Sequence, residues 1–176
     1  MQSANPALTI PHTIWNEMIA HAKECAPHEC CGMLAGTDGT VLAHYRITNI
    51  LQNLTDQELS RFDGAKLRDL QCLLPEERAD IAFQMDAREM ALAQKDIRAK
   101  GFQLQAFYHS HTSSPARPSQ TDITIAMEFE SYREKLGIPQ PLHIIISLAD
   151  EDRPDIKAFR IADHASVEVP LACEGK

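Results

Sequence analysis

No apolar run in this sequence approaches the roughly twenty residues that a bilayer span requires, since its longest uninterrupted stretches are short, as in Ile144-Ile145-Ile146. The first residues carry neither a basic region nor an apolar signal core, so export and membrane insertion are not expected. The five cysteines (Cys25, Cys30, Cys31, Cys72 and Cys173) are odd in number and irregularly spaced. That excludes a secreted disulfide framework and fits a reducing cytoplasm. A basic excess is also missing. Seventeen Lys and Arg against twenty-five Asp and Glu leave a net charge of −8. Nothing chain-wide seeks phosphate backbones, and nucleic acid is not an expected partner. Internal repeats, low-complexity tracts and interdomain linkers are absent too. What remains is an ordinary globular composition, 44% hydrophobic and 24% charged over 176 residues. It suits one compact domain, residues 1–176, with its own core.

Periodicity orders the chain. Leu8-Thr9-Ile10 leads into Pro11, which suits a first helical turn, and Ile14, Trp15, Met18, Ile19 and Ala22 continue at helical spacing to about Cys25. Cys30-Cys31-Gly32-Met33-Leu34-Ala35 is short and apolar and is closed by Gly36-Thr37-Asp38-Gly39, so it reads as a buried strand and a hairpin turn, with residues 40–49 as the partner strand. Residues 51–80 are more charged, with Leu67, Leu70 and Leu74 at helical spacing until Pro75. They are expected to form a partly helical insertion whose leucine stripe packs on the core or on a second copy of the chain in a homodimer; a flap over the substrate is the alternative. Asp86 and Glu89 form a helix-start box for a helix ending at Gly101. Residues 102–109 then read as a strand, Ser119 to about Lys135 as a helix, and 142–148 as a doubly buried strand. Residues 155–161 and 165–170 supply closing strands around an Asp163-His164 turn.

The chemistry concentrates between residues 109 and 122. His109 and His111 stand two apart at a strand end, where both imidazoles project from one face about 6–7 Å apart along the backbone. Ser119 follows a loop stiffened by Pro115 and Pro118, and Asp122 falls three residues later. As a helix N-cap this Ser-x-x-Asp pair is commonplace. As a metal site, two neutral imidazoles and one carboxylate leave a tetrahedral zinc one open position for water. A catalytic zinc needs a nearby base, and Glu29 stands at the mouth of an apolar strand where partial burial would raise its pKa. A solvated strand-end carboxylate is the plainer reading of that residue.

At this point the sequence resembles the JAMM, or MPN-plus, zinc metallopeptidase family. His109, His111, Ser119 and Asp122 fit its His-x-His, seven residues, Ser-x-x-Asp signature, while Pro27, Glu29, Cys31, Gly32, Leu34 and Gly36 resemble its upstream Glu-containing strand. The resemblance covers roughly residues 8–171. It implies a single α/β domain of MPN type with a curved, mixed sheet flanked by helices. It further implies that His109, His111 and Asp122 hold one zinc per chain, that Glu29 activates the zinc-bound water, and that Ser119 donates a hydrogen bond to that water or to the oxyanion. Thr112 departs from the family's usual Pro and touches loop rigidity rather than a ligand. A short stand-alone domain resembles the family's prokaryotic branch, which hydrolyses the amide bond after the C-terminal Gly-Gly of small ubiquitin-like or sulfur-carrier proteins. Such a partner, presenting a basic face, would be steered by the acidic balance. The alternatives are a non-catalytic scaffold of the same fold and a hydrolase of small-molecule amides.

Other patterns carry less. Cys30 and Cys31 could suggest redox or persulfide chemistry, but read more simply as small core side chains on opposite faces of a strand. His28-Glu29 lacks the later His of a zinc helix, because Gly32 stands there, and no Pro-Cys-x-x-Cys of a zinc deaminase exists. His12, His21, His44, His143 and His164 have no ligand spacing and are expected to be structural or surface residues.

Overall fold

A computed structural model describes residues 7–61 and 70–175. In chain order its elements are β1 (Leu8–Pro11), α1 (His12–Cys25), β2 (Cys31–Thr37), β3 (Thr40–Ile47), α2 (Asp56–Leu59), α3 (Arg78–Ile81), α4 (Ala87–Ala99), β4 (Gln103–His111), α5 (Gln120–Leu136), β5 (Leu142–Ser147), β6 (Asp155–Ala162), β7 (Ala165–Val169) and β8 (Leu171–Glu174). The strands form one curved, mixed sheet in the order β7-β6-β5-β4-β2-β3-β1-β8. β4 runs parallel to β5, and β1 parallel to both β3 and β8, while the remaining pairs are antiparallel.

The sheet divides two apolar layers because strand side chains alternate. On one face Met18 and Ala22 of α1 pack on Leu34, Ala106, Tyr108, Ile144 and Ile146. On the other, α4 and α5 cover Cys31, Met33 and Phe107 through Ala93, Ile97, Ile125 and Phe129. Cys30 and Cys31 therefore join opposite layers, and all five cysteines are free thiols. Two irregularities adjust this alternation, at Leu34/Ala35 in the β2–β4 pairing and at Ala35/Gly36 in the β2–β3 pairing. Gly36 is required at the second, since a Cβ there would stand 1.9 Å from the Thr40 carbonyl oxygen. Among the described residues no helix is long and apolar enough to cross a membrane.

Local chemistry explains the helix ends. Asp86 caps α4 by accepting the Glu89 N–H, and Ser119 and Asp122 form a reciprocal box at the start of α5. The Asp163-His164 turn between β6 and β7 holds both residues at positive φ. Pro11 departs from the expected place inside the first helical turn. It ends β1, pairs with Glu174 of β8, and caps α1 from an extended conformation, because its fixed φ serves a strand end as well as a helix start.

The leucine stripe expected in the insertion also breaks. Leu70 is buried with Leu51, Leu59, Ala79 and Ala82 in a cluster of the insertion's own, but Leu74 is 58% exposed. The ring of Pro75 pushes Leu74 out of the helical region, to φ −62° and ψ 147°, so the two leucines no longer share a face. Leu67 lies outside the described residues. At its end the insertion joins the site: the Ala79 carbonyl accepts the Glu29 N–H at 2.7 Å.

Gly32 sits where β2 passes Tyr108, and a Cβ would approach the ring to 2.2 Å. The ring cannot yield cheaply, because its hydroxyl bridges His21 Nδ1 at 2.7 Å and His44 Nε2 at 2.8 Å. Gly32→Ala should therefore lower stability by about 3 kcal/mol through overpacking, read as a shift in the urea midpoint with the slope unchanged.

Candidate metal centre

β4 runs toward the centre of the site and presents alternate residues to opposite layers. Tyr108 and Ser110 face α1, whereas Phe107, His109 and His111 face α4 and α5. Asp122 reaches the same place from the first turn of α5, where the helix N-terminus favours a carboxylate. His109 Nε2 and His111 Nε2 lie 3.1 Å apart. His111 Nε2 is 3.1 Å from Asp122 Oδ2, and His109 Nε2 is 3.2 Å from Asp122 Oδ1. All three side chains are buried, at 4%, 6% and 7% exposure. Their ligand atoms converge well enough to hold a metal ion. A tetrahedral ion with bonds of about 2.0–2.1 Å requires donor separations of about 3.3 Å, close to those present.

The surroundings aim these groups. The Pro115 carbonyl lies 3.0 Å from His111 Nδ1, so it accepts that N–H and leaves the Nε2 lone pair directed inward. The Phe83 ring stacks on His109 at a centroid distance of 4.5 Å. Ser119 donates its backbone N–H to Asp122 Oδ2 at 2.8 Å and accepts the Asp122 N–H at its Oγ, which leaves the hydroxyl proton free to donate elsewhere. Burial alone would raise the Asp122 pKa, but the charge and hydrogen bonds of His109, with His111 and the Ser119 amide, hold it well below the carboxylate range. His111 responds in the opposite sense: burial opposes its charge, yet Asp122 carries its pKa above the ordinary imidazole value.

Glu29 stands two residues before the start of β2 and lines a cleft of about 330 Å³ together with His111 and Ser119. It is 4% exposed, and its Oε2 is buried without a hydrogen-bond partner among the described residues. Desolvation, followed by the charges of Asp122 and Asp80, pushes its pKa well above the usual carboxylate range. Its backbone, by contrast, is clamped at both ends. The N–H goes to Ala79, and the carbonyl accepts from Asn49 Nδ2 at 2.9 Å.

Asn49 is a residue that local sequence reading passes over. Its Nδ2 also donates to the Ala82 carbonyl at 3.1 Å, and its Oδ1 accepts the N–H groups of Leu51 and Gln84. One amide thus ties Glu29 to the segment bearing Phe83. The only sequence signal available was an Asn just beyond a strand, a position where side-chain amides commonly replace lost ladder partners.

The remaining histidines stand apart from the three convergent groups. His21 and His44 share the Tyr108 hydroxyl, and burial lowers the His21 pKa to about 4. His143 packs against Phe107, and its pKa is lowered to about 4, again chiefly by burial. His28 pairs with Asp80 at 2.6 Å on the rim of the cleft.

The family model described as prokaryotic homologs of the JAB domain matches residues 11–162. The chain is similar to a CysO-cysteine peptidase of Mycobacterium tuberculosis, at 26% identity over 166 residues, covering 93% of this chain and 89% of that protein. Among solved structures, a Desulfitobacterium hafniense protein determined in solution is similar with a TM-score of 0.68 at 28% identity, covering 96% of this chain and 94% of the other. A JAB1/MPN domain protein from Archaeoglobus fulgidus shares the fold, with a TM-score of 0.50 at 15% identity over 95% and 97% of the two chains.

The buried, unpartnered Glu29 makes a prediction for the metal-free protein. Its folded pKa exceeds its unfolded value, so its contribution to stability is complete below about pH 4.3 and is lost as pH rises through the folded pKa. Metal-free Glu29→Gln should therefore be the more stable protein at pH 7, read as a higher melting temperature. The gap should narrow as pH falls toward 5; thermal melts across that range in a chelator would show a constant gap if the carboxyl were unperturbed.

Proposed function

Because the chain belongs to the family of prokaryotic homologs of the JAB domain, we propose that it is a zinc-dependent peptidase or isopeptidase. Its substrate is the amide bond that follows the C-terminal Gly-Gly of a small ubiquitin-like or sulfur-carrier protein. One observation carries the reading: His111 of a buried His-His-Asp group lines the same cleft as a buried Glu29 whose pKa is raised. The name of the mycobacterial relative, a CysO-cysteine peptidase, supports the substrate class. A scaffold of this fold would have no use for an unpartnered buried carboxylate, which costs stability wherever it is ionised.

His109 and His111, through Nε2, and Asp122, through its carboxylate, would hold the ion, a donor set suited to zinc. When bound, zinc would supply Lewis acidity toward a carbonyl oxygen and lower the pKa of water to about 7. Glu29 works as general base and then general acid. Its carboxylate takes the proton of the attacking water and returns it to the nitrogen of the departing amine, a shuttle that a carboxyl with a raised pKa performs near neutrality. Ser119, with its Oγ already accepting the Asp122 N–H, directs its hydroxyl proton to the oxygen that gains negative charge. The ring of Phe83 and the Pro115 carbonyl keep both imidazoles oriented. Paired glycines fit such a cleft because only they let a backbone lie close to the centre.

Zinc analysis of the purified protein should return close to one ion per chain. Glu29→Gln should retain that ion while kcat on a Gly-Gly-tailed carrier conjugate falls at least about 100-fold. His109→Ala should lose the ion itself. Carefully purified protein without zinc, or undiminished cleavage by Glu29→Gln, would overturn the mechanism.

A further inference from the structure

Thr112, Ser113, Ser114, Pro115 and Arg117, in the loop between His111 and Pro118, line the cleft together with Glu29, and this loop is fixed rather than loose. The Ser114 carbonyl accepts the Ser147 hydroxyl at 2.6 Å, the Pro115 carbonyl receives His111 Nδ1–H, and the His111 carbonyl accepts the Leu148 N–H at 2.9 Å. Ala116 is 3% exposed and packs with Ile145, Phe159 and Ile161. Pro118 follows. Between these two anchors stands Arg117, exposed and lining the cleft with Glu29, His111 and Ser119.

Of the described arginines that no carboxylate pairs, Arg117 is the one that lines the cleft. Arg46, Arg78, Arg133 and Arg153 are each paired with a carboxylate. Among the described residues no carboxylate pairs with Arg117. It is also the only cleft-lining residue with a permanent positive charge, while the lining carboxyl groups are those of Glu29 and Asp80. In a chain of net charge −8, with Asp80 also lining the cleft, an anionic leaving group needs a positive partner. A guanidinium with no carboxylate partner among the described residues supplies one, and its planar fork matches a carboxylate in particular.

We propose that Arg117 binds the α-carboxylate of a single amino acid attached after the Gly-Gly, so that the bond cut is the last peptide bond of the substrate. A leaving amino acid carries its carboxylate two bonds from the scissile nitrogen. A lysine side chain in an isopeptide linkage, or the start of a longer chain, offers no such anion there. Hydrolysis then adds water across the last C–N bond, leaving the carrier with a C-terminal glycine carboxylate and releasing a free amino acid with its amine protonated. This inference rests on the peptidase reading above, where the mycobacterial relative's name, CysO-cysteine peptidase, already suggests an amino acid as leaving group, and adds the residue that recognises it.

The test uses two synthetic peptides ending in Gly-Gly-Cys, one with a free carboxylate and one as the C-terminal amide. The zinc-loaded wild-type protein should cleave the acid with kcat/KM about 10- to 100-fold higher than the amide, the range expected for one charge-assisted hydrogen-bonded pair. Arg117→Ala should abolish that preference by lowering the rate on the acid, and Arg117→Lys should restore part of it. Equal cleavage of both peptides by the wild type, or a preference that survives in Arg117→Ala, overturns the proposal and leaves the peptidase reading standing. Binding of the same peptides to Glu29→Gln, followed by fluorescence anisotropy, separates the two ideas further. Tighter binding of the acid through Arg117, with no cleavage of either peptide by the wild type, would sustain the carboxylate site and remove the peptidase. Equal affinity for both would remove the carboxylate site.

Discussion

The carboxylate of Asp122 is the point on which the site's geometry depends. Three groups reach it in a buried space: the Ser119 amide from its own helix start, and the two β4 imidazoles from the sheet. An ionised carboxylate buried to 7% exposure is tolerable only with such partners. Its position in turn requires α5 to begin where it does and β4 to end where it does. The loop between them is accordingly hooked to β5 through Ser147 and Leu148. The site is thus the meeting of a helix N-terminus with the end of a strand, and each is held in place by the other.

Glu29 follows the opposite logic. Among the described residues nothing partners its Oε2, yet its backbone is gripped by Ala79 and Asn49. Rigid placement with an unsatisfied side chain is the combination that keeps a group reactive: the position is set by bonds that do not involve the atoms needed for chemistry. Part of that grip comes from the insertion, whose small apolar cluster around Leu51, Leu59 and Leu70 carries Ala79 and Ala82 to the site.

What could be read in the sequence was whatever depends on near neighbours. His109 and His111 are two apart, Ser119 and Asp122 three apart, and strand and helix periods convert such spacings directly into shared faces. Most elements were legible in the same way, from α1 through the Asp86 cap of α4 to the β6–β7 turn. The contributions that escaped are separated along the chain. Asn49 meets Glu29 across 20 residues and Ala82 across 33, and Phe83 meets His109 from another segment. β1 and β8 are four residues each and pair in parallel, a register that no short-range pattern encodes. The leucine stripe failed where one local rule overrode another, since the backbone constraint before Pro75 outweighed helical periodicity. Arg117 was visible as a residue, but its place in the cleft with no ion pair among the described residues is a property of the folded surface.

The hooked loop has a consequence for how such a protein can change. The loop is nailed to β4 and β5 by bonds that use backbone carbonyls, the Ser147 hydroxyl and the His111 ring, while Thr112, Ser113 and Arg117 line the cleft. Those positions form an exchangeable panel. New residues can be written there without disturbing the centre behind it, so selectivity and reactivity can drift at different rates in the same dozen residues.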